Sequence, residues 1–192
     1  MNTSKNERIA AYEGRSKWAN DLLNEITPTG KIIGVEVGLW KADFGVSMLN
    51  ENPRLSWYGV DPYFQYPVNG EVIRSKLGWD GMYKKVVGKT IPFGERYTLI
   101  RKPSWEGVED IPDGVDFVFI DGDHDYDIVL KDLFLYEKKV RSGGIMSGHD
   151  YSIKKHQDGV IKAVDEYAKK FGRDIHVDNS FDPCGIFWWR VP

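Results

Sequence analysis

Four short stretches of the sequence each place an acid where a buried strand would give out. Glu36-x-Gly38 lies in an apolar run over 31–40, and Asp61 closes one over 55–60. Asp121-Gly122-Asp123-His124 closes one over 116–122, and Gly148-His149-Asp150 closes one that begins at 144. Carboxylates and imidazoles so placed can bind cationic groups, hold a hard metal ion through oxygen, or move a proton. A single acid after a strand is often only a helix cap. Four such ends in register exceed what capping alone requires. In an open α/β sheet, ligands bind beyond the carboxyl ends of the strands.

The elements that must position these groups are legible in the spacing of apolar residues. Ile9, Tyr12, Trp18, Leu22 and Ile26 predict an amino-terminal helix over about 7–26, within a leading segment 1–29. Strands are expected over 31–40, 55–60, 96–102, 116–122 and 144–148, and helices over 42–50, 80–87, 125–140 and 159–171. Ser142-Gly143-Gly144 reads as the end of the helix over 125–140. Two late strands, near 174–177 and 185–191, have too short a connection for a crossover helix, so they should pair antiparallel at the sheet edge. Alternating strands and helices predict a single α/β domain over 1–192 with parallel strands and right-handed crossovers.

Composition narrows the function classes. There are 192 residues, with 26 Lys and Arg against 29 Asp and Glu, so no basic excess marks a nucleic-acid binder. One cysteine, Cys184, cannot form an internal disulfide and points to a reducing, cytoplasmic setting. No signal peptide and no membrane span are expected. Seven Trp remain unassigned by composition. Position suggests that Trp40, Trp79 and Trp105 line a pocket, while Trp18, Trp57, Trp188 and Trp189 pack.

The first loop, Gly34-Val35-Glu36-Val37-Gly38-Leu39-Trp40-Lys41-Ala42, lacks the full G-x-G-x-x-G of a dinucleotide turn. Its acid disfavours a pyrophosphate and suits a cationic ligand, so S-adenosylmethionine fits it better than NAD. Asp61, about 20 residues further on, is placed to hold a ribose.

The segments GVEVG, GVDPY, FGERYTLIRKPS and FVFIDGDHDYDIVLKDLFLYEKKVRSGGIMSGHDY resemble class I S-adenosylmethionine-dependent methyltransferases of the group with an IDGDHxY and GHDY signature. The chain is also similar, more distantly, to metal-dependent O-methyltransferases of the catechol and macrolide-sugar types. The resemblance covers about 30–155. It implies a Rossmann-like, mostly parallel seven-stranded sheet with an antiparallel edge hairpin and helices on both faces. It further implies cofactor contacts from Glu36, Gly38, Trp40, Asp61, Ser104, Trp105 and Asp121, with Ser104 and Trp105 at the adenine. Asp121, His149 and Asp150 would hold Mg²⁺ or another divalent metal, and His124 would be the base, in the slot of a lysine. Asp121 would serve both cofactor and metal. Two departures stand in the first loop: Ala42 replaces the usual third glycine and Phe44 a hydroxyl residue, which leaves the cofactor carboxylate to backbone amides or Lys41. His149 stands where catechol-type enzymes carry an acid.

The expected reaction is transfer of a methyl group to a small-molecule acceptor such as a sugar or phenolic hydroxyl, by a protein that could form a homodimer. Residues 63–96, with Tyr66, Trp79, Met82 and Tyr83, form either a lid over the acceptor or packing against the sheet. His156 and His176 read as structural or solvated, as do the helix-end clusters Asp125/Asp127 and Lys138/Lys139/Arg141. Two alternatives remain open at this point: a non-catalytic nucleotide-binding subunit of the same fold, and a metal-dependent phosphoesterase.

Overall fold

The computed structural model describes residues 5–64, 67–68, 71–72, 78–152, 158–180 and 184–192. Tyr66 and His156 lie outside these residues.

Seven strands form one sheet: β1 (Ile32–Val37), β2 (Leu55–Val60), β3 (Tyr97–Ile100), β4 (Val115–Ile120), β5 (Val140–Gly148), β6 (His176–Asp178) and β7 (Ile186–Arg190). Their order is β3-β2-β1-β4-β5-β7-β6. The first five pair in parallel, and β7 pairs antiparallel with both β5 and β6. That is the expected architecture, edge hairpin included. The helices are α1 (Lys5–Ile26), α2 (Asp43–Glu51), α3 (Gly78–Thr90), α4 (Tyr126–Tyr136) and α5 (Asp158–Phe171). Two-residue strands at Pro67–Val68 and Glu71–Val72 pair with each other inside the segment expected as a lid. No helix among the described residues is long and apolar enough to cross a membrane.

The core strands carry near-continuous apolar runs because helices cover both faces of the sheet. Every residue of β4 is buried. One face packs Val35, Val118, Leu133 and Val164, and the other packs Leu23, Phe44, Trp57 and Phe117. On α5, Val160, Ala163, Val164, Tyr167 and Ala168 are buried together, as their spacing predicted.

Three local expectations are corrected. The helix expected to reach residue 140 ends at Tyr136, a single 3-10 turn follows, and Val140 already begins β5. Gly143, at φ 76°, belongs to an irregularity in β5, where the register against β4 shifts between Val115 and Phe117. Glycine there serves a bulge and not a helix end. Arg141 is also no solvated helix end: its Nε sits 2.8 Å from the buried Asp116, and Nη2 reaches the Thr27 hydroxyl and the Ile26 carbonyl. It ties the end of α1 to the sheet.

Candidate active site

The parallel ladder runs one residue past each strand end, and this draws the four acid-bearing stretches together. Gly38 N donates to Val60 O (2.8 Å), Asp61 N to Ile100 O (3.1 Å), Asp121 N to Val37 O (2.8 Å) and His149 N to Ile120 O (2.9 Å). The strand order reverses between β1 and β4, so a crevice opens there above the carboxyl ends. Two adjoining cavities fill it, with Gly38, Trp40, Asp121 and His124 in their common wall.

The first cavity is lined by Asp61, Trp79, Ser104, Trp105 and Asp132. Trp40, Trp79 and Trp105 all face it, and the first two meet edge to face at 6.3 Å. Trp57 and Trp189 are fully buried in the core. The segment expected as a lid therefore divides. Trp79 reaches the cavity, while Met82 and Tyr83 pack against the sheet.

Gly38 lets the first loop pass directly over the end of β4. Its φ is 87°, and a Cβ there would run into the Gly122 Cα and the Asp121 carbonyl oxygen. Trp40 (φ 50°) and Ala42 (φ 55°) are left-handed without being glycine, which stores strain of order 1 kcal/mol per residue in this loop. Asp61 holds the loop in shape: Oδ2 accepts from Leu39 N and Trp40 N at 3.0 Å each, and Oδ1 from Tyr63 N at 2.9 Å. Burial raises its pKa and these amides oppose the rise. Three of its roughly four acceptor positions are used, so about one remains for a ligand hydroxyl.

Glu36 is 2% exposed and lines the second cavity with Arg15, Lys41, Phe44, His149 and Asp150. Burial pushes its carboxyl up to about 8, helped by Asp121 and opposed by the Trp57 indole, whose Nε1 donates at 3.2 Å. A cationic ligand would reverse that cost.

Asp132 is a site residue that the sequence reading passed over. It stands on the buried stripe of α4 with Val129, Leu133 and Tyr136 and is 2% exposed. Burial raises its pKa to about 7, against a hydrogen bond with Ser104, while Oδ1 has no hydrogen-bond partner among the described residues. Spacing alone put an acid on an apolar face at this position, and that was the available signal. Trp105, 36% exposed, lies under Lys131 with Nζ 4.7 Å from the ring.

His124, His149, Asp121 and Asp150 meet at the common wall. His124 Nε2 lies 2.8 Å from Asp150 Oδ2, and His149 Nδ1 lies 3.1 Å from that same oxygen and 3.2 Å from Asp121 Oδ1. Burial pushes the Asp150 carboxyl up, but the two imidazole hydrogen bonds outweigh it and hold it well below the usual range. The hydrogen bond to Asp150 raises the pKa of His124. An ionised Asp150 accepts from Nε2–H, so the neutral His124 ring carries its lone pair on Nδ1, ready to take a proton. Asp123 buttresses the turn: its Oδ1 accepts from Asp125 N at 2.8 Å, and Asp125 in turn caps α4.

The family model for a methyltransferase domain matches residues 33–151, the span holding every site residue above except Arg15. The chain belongs to the methyltransferase domain family. The chain is 28% identical over 159 residues to an uncharacterized protein of Acanthamoeba polyphaga mimivirus, covering 80% of this chain and 66% of that one. The chain thus spans slightly under two thirds of that relative's length. Among solved structures, it is similar to the O-methyltransferase NovP, with a TM-score of 0.64 at 19% identity, covering 93% of this chain and 80% of that one. A Staphylococcus aureus protein described as a putative caffeoyl-CoA O-methyltransferase gives 0.68 at 12% identity, covering 93% and 83%. At such identities the likeness establishes the fold, a Rossmann-like methyltransferase sheet. A single sheet of this order is also not the two-sheet sandwich that the phosphoesterase alternative needs.

Two of the three residues expected to hold a divalent metal, Asp121 and His149, meet a guanidinium, and the third, Asp150, meets His149. Arg15 of α1, missed by the sequence reading, is 4% exposed, and its Nη1 lies 2.9 Å from Asp121 Oδ2 and its Nη2 2.8 Å from His149 Nε2. Among the described residues, the His, Cys and acid ligand atoms lying within 4.8 Å of one another belong to His149, Asp150 and Cys184, without Asp121. One imidazole, one carboxylate and one thiol are not the oxygen-rich set that Mg²⁺ takes. That set does not fit Mg²⁺, and no step of the proposed reaction passes through a metal ion.

Proposed function

We propose that this protein is an S-adenosylmethionine-dependent O-methyltransferase acting on a hydroxyl group of a small molecule. The observation that carries the reading is His124, oriented by Asp150, in the wall shared by two cavities. One cavity suits the nucleoside and the other suits the reacting groups.

The cofactor would lie across the first loop. Asp61 offers its remaining acceptor position to a ribose hydroxyl, and Trp40 and Trp105 give apolar surface for the adenine. Asp132 Oδ1 supplies an acceptor for the exocyclic amine, a donor that would otherwise leave water unpaired. Glu36 and Asp121, both in the cavity walls, complement the amino and sulfonium charges of the methionine part.

Methyl transfer is an in-line displacement: the acceptor oxygen forms a bond to the methyl carbon as the carbon–sulfur bond breaks, and sulfur keeps the electron pair. The hydroxyl proton passes to His124 Nδ1, and Asp150 stabilises the imidazolium that results. Binding both molecules in adjoining cavities sets the approach and removes the entropy of encounter. Supporting this reading are the family, the sheet's switch-point crevice and the polarity of the second cavity.

A panel of phenolic and sugar acceptors incubated with methyl-labelled cofactor tests it. An O-linked label in the product, abolished by His124→Asn, is the expected result. Cofactor binding without transfer to any member of the panel would favour the non-catalytic subunit.

A further inference from the structure

We propose that the Arg15 guanidinium takes the place of a divalent ion in this protein, so that methyl transfer here is metal-independent and does not require a chelating acceptor.

Arg15, Ala19 and Leu23 recur every four residues and are all buried, so α1 turns one face onto the end of the sheet and carries the arginine in with it. The guanidinium lies 5.8 Å from the Phe44 ring centroid and 5.4 Å from that of Phe119, an apolar setting that strengthens its contacts with the acids.

The donor and acceptor count then fixes the cluster. A guanidinium is always charged and can only donate. His149 Nε2 therefore accepts from Arg15, and its proton sits on Nδ1, donated toward Asp121 and Asp150. His149 is thus a neutral bridge with no lone pair left for a metal. Asp121 spends Oδ2 on Arg15 and Oδ1 on His149, and Asp150 Oδ2 is shared by both histidines. Every group expected to ligate an ion is already committed to a hydrogen bond in this chain. A divalent cation between Asp121 and His149 Nε2 would have to displace a buried guanidinium from that carboxylate and that imidazole.

The exchange changes what the acceptor must be. A metal with open positions favours two adjacent oxygens, which chelate it. Arg15 presents both of its terminal nitrogens to Asp121 and His149, so vicinal hydroxyls gain no such advantage. Arg15 acts as a positioning residue, holding Asp121 toward the cofactor and, through His149, fixing the Asp150 carboxylate that orients His124.

This inference rests on the methyltransferase reading only for its catalytic half, and Mn²⁺ binding, followed by paramagnetic resonance, tests it without any assay of activity. The wild type is expected to bind no Mn²⁺ up to about 1 mM. Arg15→Met, which keeps the length of the side chain and removes the charge, is expected to gain binding at least about tenfold over that limit, and Asp150→Asn should abolish the gain. Arg15→Lys should stay non-binding and serves as the control for folding. A wild-type Mn²⁺ site lost in Asp150→Asn overturns the proposal, and so does an Arg15→Met protein that folds and still binds nothing. Should Arg15→Met not fold, the wild-type titration decides alone. In the catalytic arm, monohydroxyl and vicinal-dihydroxyl acceptors should be turned over within about tenfold of each other in excess EDTA. Loss of all turnover on adding EDTA overturns the catalytic half even if the methyltransferase reading stands.

Discussion

Nε2 of His124 lies 2.8 Å from Oδ2 of Asp150, and Asp150 itself is held in the left-handed region at φ 63°. A non-glycine residue pays for that conformation only when its surroundings fix it, and here two imidazoles converge on one carboxylate oxygen. The pair has the orientation of a base and its positioning acid. Asp150→Asn should lower kcat by about 100-fold to 10,000-fold, since the amide no longer dictates which ring nitrogen is protonated. The dissociation constant for S-adenosylhomocysteine should stay within about threefold of wild type. A large loss of cofactor affinity with little change in kcat would place Asp150 elsewhere in the chemistry.

On the proposed reading Glu36 should make cofactor binding a proton-linked event. Burial pushes its carboxyl up to about 8, far above the ordinary value of 4.5, so the folded protein holds a proton that the unfolded chain releases. The stability contributed by this group is present below about pH 4.5 and falls as pH rises toward 8, where the buried carboxyl ionises. A cofactor carrying positive charge favours the ionised form, so binding near pH 6 should expel up to about one proton. Calorimetry in two buffers of different ionisation enthalpy measures this release, which Glu36→Gln should remove.

Asp132 should select adenine by its amino group. Asp132→Ala is expected to weaken S-adenosylhomocysteine binding by about tenfold, the loss of one buried hydrogen bond. The same variant should no longer distinguish that ligand from its deaminated, hypoxanthine analogue. Equal discrimination before and after the substitution would remove Asp132 from the adenine site.

On the proposed reading Asp61 both braces the loop and holds the ribose, so its substitution should show twice. Three backbone amides lose their acceptor in Asp61→Ala, and the ribose loses its own. Cofactor affinity should drop at least tenfold, on the order of one charged hydrogen bond, and the melting temperature should drop as well. An unchanged dissociation constant would leave Asp61 a loop staple only.

Gly38→Ala should cost about 2 kcal/mol or more, from left-handed strain plus the collision with Gly122 and Asp121. Chemical denaturation measures it. A loss below about 0.5 kcal/mol would mean that the loop and the end of β4 can separate freely.

How much of this was visible in the sequence depended on how local each signal is. Strand ends were legible because a run such as 117–120 is apolar to its last residue and then turns acidic at Asp121, and parallel pairing does the rest. The end of the helix before β5 was misread because Val140 suits a helix face and a bulged strand equally, and only pairing against β4 decides between them. Asp132 announced itself faintly, as an acid on the apolar stripe of α4. Arg15 gave no signal at all. Its partners lie 106 and 134 positions away, and a basic residue in a polar amino-terminal helix is ordinarily solvated. The guanidinium that meets Asp121 and His149, where the resemblance implied a metal, comes from a helix outside the motif that suggested the ion.

The central claim is that the crevice above β1 and β4 binds S-adenosylmethionine for transfer to a hydroxyl. Isothermal titration of S-adenosylhomocysteine into the wild-type protein, in EDTA, tests it most directly. The account predicts one site per chain, saturable well below 1 mM and weakened about tenfold by Asp132→Ala. No heat and no saturation at about 1 mM ligand would contradict it.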